Sequence, residues 1–377
     1  MSDHAFLPPS SAHAWVVCAM WPTMNARYPE LEQGAEAMEG TAAHWVFEEM
    51  LFNRPIAEGM TAPNGVLVTE EMLEGGEVYA AAVSEAYQSL ASVSHYFIER
   101  RVMIPWVHEN NWGTPDTWIF GHNPTSGRAK LVVLDYKFGH EFIEVFENWQ
   151  LVDYTCGLLD ELGIDGIADQ LTDVEFVVVQ PRSYHRDGPV RTWRTKAVDL
   201  RGHFNKLRGA AEAAHMPKPI ATPSAACKHC PGRHACEALQ RSAYEAADVA
   251  FHSAPHEMTP EAAGLELRML LRAQARLAAR ISGHSEQIEH VLRTGGRNPY
   301  FQLEQTLGRL GWAKPVQEIL ELGRLCGADL SKPQAITPTQ AKKLIDPALV
   351  DLYSERGNAG LKLEPANNSQ ARKVFGN

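Results

Sequence analysis

The chain has 377 residues, 45% of them hydrophobic and 21% charged, and a formal net charge of −11. That length exceeds one ordinary core, and that composition excludes a disordered chain, so two domains, or one with an extension, is the expectation. The acidic balance excludes a protein that coats nucleic acid through bulk charge, though a nuclease needs only a local basic groove beside an acidic metal site.

Met1-Ser2-Asp3-His4 has no charged region followed by an apolar one, and no apolar run approaches a membrane span. The expectation is a cytoplasmic protein without a membrane partner. Pro8-Pro9-Ser10-Ser11 reads as a helix entry, with serine caps for the segment carrying Trp15, Val16 and Cys18. Further helices are expected from about Gly34 to Phe52 and through the Ala-rich stretch Glu70 to Ser92. The period then changes. Tyr96 to Ile104, Thr117 to Phe120 and Lys130 to Tyr136 read as strands, with Asn123-Pro124-Thr125-Ser126-Gly127 as a turn between two of them. A helix from about Asn148 to Leu162 follows, then strands at Val174 to Val179 and near Val190 to Thr195. Helices, three strands, a helix and a strand predict an α/β sandwich with a mixed sheet flanked by helices. Beyond about residue 197 the chain reads as helical, passes Pro217-Lys218-Pro219 and Thr222-Pro223, and enters a cysteine cluster. The expected division is a domain of residues 1–245 and a mainly helical extension of residues 246–377 ending in a polar tail. The sequence contains no phosphate loop of the G-x-x-x-x-G-K-[ST] type, so nucleotide hydrolysis is not indicated.

The chemistry centres on Leu131-Val132-Val133-Leu134-Asp135-Tyr136-Lys137. Four apolar residues read as a buried strand, and Asp135 and Lys137, two apart, leave it by one face. An acid that holds a divalent cation and a lysine that steadies an attacking water suit phosphodiester hydrolysis. An ion pair closing a strand reads equally well from the tripeptide alone. Asp116, in Gly113-Thr114-Pro115-Asp116, starts the preceding strand, and a hairpin through the turn sets the two carboxylates side by side. Such a pair is costly without a cation, and Mg2+ or Mn2+ takes oxygen ligands of this kind; a capping aspartate is the plainer alternative. His44, one of sixteen histidines, sits on the second helix in Gly40-Thr41-Ala42-Ala43-His44. It reads either as a further ligand favouring Mn2+ or as a packed side chain, with Glu48 one turn later. Gln150 and Tyr154, four apart, share a helix face that would look toward the site.

Three of the six cysteines fall within ten residues, as Cys227-Lys228-His229-Cys230 and Cys236. Clustering of this kind points to a metal rather than to a disulfide scaffold. A closed site needs a fourth ligand, and His229, His234 and the distant Cys18 are all candidates. Cys156 and Cys326 have no partners by spacing.

The ordered set Gly40/His44, Gly113/Asp116, Asp135/Lys137 and Gln150/Tyr154 resembles the RecB-type branch of the PD-(D/E)XK nuclease superfamily, over about residues 10–240. The resemblance implies a restriction-endonuclease-like core and a metal-dependent DNA exonuclease of phage or prophage type. It implies that His44, Asp116, Asp135 and the Tyr136 carbonyl bind Mg2+ or Mn2+ and that Lys137 is catalytic. Gln150 and Tyr154 would contact DNA or support the site, with Glu99 as an extra acid. Iron–sulfur members of these nucleases take one cysteine before the core and three after it. By that likeness Cys18, Cys227, Cys230 and Cys236 would hold a [4Fe–4S] cluster, with Zn2+ as the alternative. Many relatives place a proline directly after the first cysteine; this chain has Ala19 there and Pro22 further on.

Arg268, Arg272, Arg276 and Arg280 form a basic stripe that reads as a DNA-tracking surface or, equally, as a solvated helix face. Gly311-Trp312, Thr337 to Lys343 and Gly360 to Pro365 look similar to the tail of phage RecB-like nucleases, which would position DNA or a recombination or annealing partner. Two other classes stay open: a catalytically idle scaffold on a nuclease fold, and a zinc-stabilised nucleic-acid-binding protein.

Overall fold

A computed structural model describes residues 5–28, 34–183, 188–249, 259–332, 334–335, 338–342 and 344–365. Met1 to His4, Thr337, Lys343 and the polar tail beyond residue 365 lie outside the described residues. The chain divides into two compact units, Met1–Gly283 and His284–Asn377.

The first unit opens with helices α1 (Ala12–Trp15), α2 (Trp21–Arg27), α3 (Ala35–Leu51) and α4 (Glu70–Gln88). Thr69 caps α4 by accepting the Met72 N–H, and Glu70 and Glu71 in its first turn complement the helix dipole. Strands β1 (Ser92–Ile98), β2 (Val102–Met103), β3 (Trp112–Gly113), β4 (Thr117–His122) and β5 (Ala129–Tyr136) follow. Then come α5 (Trp149–Glu161), α6 (Ile167–Leu171), β6 (Thr172–Val179), β7 (Val190–Lys196), α7 (Arg201–Ala214), α8 (Glu237–Val249) and α9 (Pro260–Arg293), whose last turns belong to the second unit. The expected division at 245/246 falls inside α8.

One five-stranded sheet runs β1-β4-β5-β6-β7. β5 and β6 are parallel and every other neighbouring pair is antiparallel, so the sheet is mixed, with helices on its faces. The alternation along β5 decides which layer each face meets. Leu131 and Val133 join Trp15, Leu158, Phe176 and Phe204 on the side of α1, α5 and α7. Val132, Leu134 and Tyr136 join Val46, Phe47, Met72 and Tyr79 beneath α3 and α4. Asp135 and Lys137 share the parity of Leu131, which turns them toward α5.

The strand expected from Tyr96 to Ile104 is broken. Glu99 adopts φ +48°, a left-handed conformation that ends the ladder, and β2 pairs instead with β3. The second unit contains a helix, Val316–Leu325, and an antiparallel ribbon of Phe301–Trp312 with Ser354–Pro365. Alternation in Phe301-Gln302-Leu303-Glu304 carries that strand signal, where a mainly helical extension was the expectation. No described helix is long and apolar enough to cross a membrane.

A carboxylate centre and a cysteine pocket

The β4–β5 hairpin sets the first site. Asn123 Oδ1 accepts the backbone N–H groups of Thr125 and Ser126, at 2.9 and 3.1 Å, and Gly127 supplies the φ of +66° that closes the turn. The register it enforces pairs Thr117 with Leu134. Asp116 therefore lies beside the end of β5, where its Oδ2 accepts the Tyr136 N–H at 2.6 Å. On the other side, the Glu99 N–H donates to the Asp116 carbonyl at 2.9 Å, which brings Glu99 to the same end of the sheet. Buried Ala43, Val46 and Phe47 seat α3 against this end and aim His44 at it. His44 Nδ1 lies 3.5 Å from Asp116 Oδ1 and 3.8 Å from Glu99 Oε1. One ligand atom from each of His44, Glu99 and Asp116 lies within 4.8 Å of the other two. Glu99 holds the place beside His44; Glu48, one turn along α3, does not join this group.

Asp135 is 2% exposed. Its Oδ1 accepts from Lys137 Nζ at 3.0 Å and from Gln150 Nε2 at 2.9 Å, while Gln150 Oε1 accepts from the same Lys137 at 3.1 Å. Gln150 can do this because Asn148 caps α5, accepting the N–H groups of Gln150 and Leu151. Asp135 Oδ2 is buried without a hydrogen-bond partner. Tyr154 stands one step back: its hydroxyl donates to the Thr114 carbonyl at 3.2 Å and so steadies the approach to Asp116. A Cβ on Gly113 would come within 2.8 Å of the Tyr154 ring and 2.9 Å of Pro9, which explains that glycine. Gly40 has nothing within 4 Å of such a Cβ, and nothing in the structure explains it.

The electrostatics belong to buried carboxylates that Lys137 and His44 offset only in part. Burial pushes the Asp135 carboxyl up to about 6, with Asp116 adding to the rise and Lys137 opposing it. Asp116 is also raised by burial, against the pull of His44 and with the push of Glu99. Burial alone would lower His44, yet Asp116 and Glu99 outweigh it and its pKa rises. Lys137 likewise gains more from Asp135 and Asp116 than burial takes away.

The segment after Lys137 is held by residues that carried no motif. Gln180, fully buried, donates to the carbonyls of Gly139 and Glu141 and accepts the Ile143 N–H. Arg191 donates to Gln180 Oε1 at 2.7 Å and to the Ile143 carbonyl at 3.0 Å. A polar residue directly after the apolar run Phe176–Val179 is the one sequence signal for this clamp.

The second site is soft. Cys18, Cys227, Cys230 and Cys236 line one pocket together with Met24 and Leu239, and all four thiols are free. Cys18 follows α1. Cys227 lies on the short 3-10 turn Ala225–His229, Cys230 joins it to the next such turn, Pro231–His234, and Cys236 directly precedes α8. Backbone N–H groups point at sulfur, Thr222 at Cys18 (3.4 Å) and Ser224 at Cys227 (3.3 Å). Burial raises Cys227 and takes Cys230 up to about 11, and the neighbouring thiolates add to both. Cys156, buried on α5, and Cys326, exposed in the second unit, stand apart from this pocket.

Half of the arginine stripe on α9 is engaged within the first unit. Arg276 donates to Ser242 Oγ at 2.8 Å, and Arg280 donates to the carbonyls of Arg233 and His234 beside the cysteines. Arg268 and Arg272 are exposed.

Residues 4–350 match the model of a family described as "Protein of unknown function (DUF2800)".

Proposed function

The chain belongs to the DUF2800 family, and we propose that it is a divalent-metal-dependent deoxyribonuclease, an exonuclease acting on DNA ends in phage-type recombination. The observation that carries this reading is the convergence of His44, Glu99 and Asp116 beside an Asp135 whose Oδ2 is buried and unpartnered. A buried anionic oxygen without a donor is costly, and a cation is the partner that relieves it. Oxygen donors with one imidazole suit Mg2+ and, better, Mn2+. His44, Glu99, Asp116 and Asp135 would hold the ion, with the Tyr136 carbonyl in reach of the same strand end. The bound ion supplies Lewis-acid polarisation of a phosphate oxygen and acidifies water. Lys137, oriented by Asp135 and Gln150, holds a positive charge where negative charge develops on phosphorus oxygens. Gln150 fixes that ammonium, and Tyr154 keeps the Asp116 segment in register.

For the cysteine pocket the proposed group is a [4Fe–4S] cluster with a structural role. The four-thiol donor set suits iron–sulfur or zinc. The order of one cysteine before the core and three after it, which the iron–sulfur nucleases share, favours the cluster over zinc.

End-labelled single- and double-stranded DNA incubated with the purified protein, first with Mg2+ and then with Mn2+, tests the activity. Progressive shortening from labelled ends is expected. DNA that stays intact with both ions overturns the nuclease reading, and binding without cutting would favour the idle scaffold. Protein purified without oxygen should be brown with broad absorbance near about 400 nm; a colourless, zinc-bearing sample overturns the cluster.

A further inference from the structure

We propose that Arg182 is a positioning residue for the metal site: it fastens the helix that carries His44 to the strand end that carries Asp135 and Lys137. The proposal rests on the metal-binding half of the reading above and adds the part that keeps the imidazole in place.

The need for such a part follows from α3 itself. Its buried residues begin at Ala42, and residues 35–41 are half-buried or exposed. Apolar packing therefore seats α3 only from about the turn of His44 onward. The turns before it depend on polar contacts, of which Asn64, donating to the Met38 carbonyl at 2.7 Å, is one. His44 must meet Asp116 and Glu99 at the boundary between these two stretches. A metal ligand works only within about 0.2 Å of its bonding distance, so a small tilt of α3 is enough to remove it.

Arg182 supplies the other contacts. The Lys137 N–H donates to the Val179 carbonyl at 2.9 Å, so the chain leaves β6 directly beside the lysine. Three residues later, Arg182 Nη1 and Nη2 donate to Glu39 on α3 at 2.7 and 3.0 Å. Its Nε and Nη2 donate to Glu71 on α4 at 2.9 and 2.7 Å. The guanidinium carbon lies 3.7 Å from the ring centroid of Phe138, which directly follows Lys137. One planar fork of donors thus joins the lysine strand, the histidine helix and α4, which a lysine could not do. Gly75 lets α4 close on this spot: a Cβ there would lie 2.5 Å from the Tyr136 hydroxyl and 3.1 Å from Phe138.

Stability is a poor account of the arrangement. The Arg182 side chain is 10% exposed, and desolvating a cation with its carboxylates offsets much of their attraction. What the contact supplies is geometry. Gln180 already holds the segment after Lys137, so Gln180-Pro181-Arg182 ties both halves of the site to one short span.

The test reads Mn2+ bound to the full-length protein, and it does not depend on cleavage. Electron spin-echo spectra of saturated wild type should show nitrogen coupling from His44, and His44→Ala, which lacks it, assigns the signal. Arg182→Gln should lose most of that coupling and bind Mn2+ about tenfold more weakly, the low end for a partner outside the ligand set. Glu39→Gln releases only the α3 side and should behave alike, and it decides alone if Arg182→Gln does not fold. The nitrogen signal is the criterion, because a merely structural loss would not move it. Full coupling in the folded variants overturns the positioning role, whatever the affinity, and leaves the metal site standing. Wild-type Mn2+ without nitrogen coupling overturns it too, since His44 would then be no ligand. No Mn2+ binding by the wild type overturns the metal site and the positioning role together. Mn2+ binding without DNA cleavage defeats the nuclease reading and leaves the coupling to decide this one.

Discussion

Asp116 and Asp135 come from neighbouring strands of one sheet, whereas Cys18 meets Cys227, Cys230 and Cys236 across more than two hundred residues. The acids inherit their positions from strand register, and the ladder holds them whether or not anything neutralises them. Burial then works against them, as the raised carboxyl of Asp135 records. The cysteines rest on short 3-10 turns and backbone-to-sulfur hydrogen bonds, so their geometry has little regular structure behind it. On the proposed reading, a ligand at the first site would serve chemistry more than folding, and a ligand at the second would serve folding more than chemistry.

The largest effect should come from removing the carboxylate-site chemistry while the sheet persists. Lys137→Ala should slow DNA cleavage with Mn2+ by about a hundredfold to a thousandfold, with its circular dichroism unchanged. Initial rates on labelled DNA check this, and a wild-type rate would break the division of roles. Next in size is the cysteine pocket. Cys18→Ser should lose the brown colour and melt on the order of 10 °C lower, because the clasp closes a very long loop. EDTA treatment of the wild type should lower the melting temperature much less. Equal losses in the two experiments would erase the contrast.

The smallest effect sharpens the energetic side. Asp135 holds its proton up to about 6 when folded, above the ordinary 3.8. Between those values the folded chain binds the proton that the unfolded chain has lost, so this group's contribution to stability falls as pH rises from about 4 through 6. In metal-free protein, Asp135→Asn should melt higher than the wild type, and the gap should widen by a few degrees from pH 5 to pH 7. Added Mn2+ should narrow it at pH 7 by stabilising the wild type more than the variant, which keeps His44, Glu99 and Asp116. Melting curves at both pH values decide; a gap that does not change with pH would place the carboxyl's burden elsewhere.

Much of this was legible because it follows from period and spacing. The buried run before Asp135, the hairpin turn at Asn123–Gly127 and the helix carrying Gln150 all announce themselves locally. The four cysteines, grouped by their spacing and the resemblance, line one pocket. What stayed hidden depends on tertiary geometry. The resemblance offered Glu99 as an extra acid, but the left-handed φ that carries it to the site is signalled by no apolar pattern. Tyr154 shares a helix face with Gln150 yet spends its hydroxyl on a carbonyl, since Gly113 lets the two segments close in. Arg276 and Arg280 look like a DNA stripe by spacing, but the cysteine-bearing turns and α8 claim them. Gln180 and Arg191 clamp a segment far from either in the chain.

Glu99 carries a consequence for anyone who would harden this protein. Its backbone sits where glycine or asparagine rests more easily, by roughly 1 kcal/mol, and its carboxylate crowds Asp116 and His44. Selection for heat resistance alone would reward replacing Glu99, and Asp135 with it. Variants chosen that way would gain robustness while stripping out the acids, so durability and the proposed metal site compete for the same few positions.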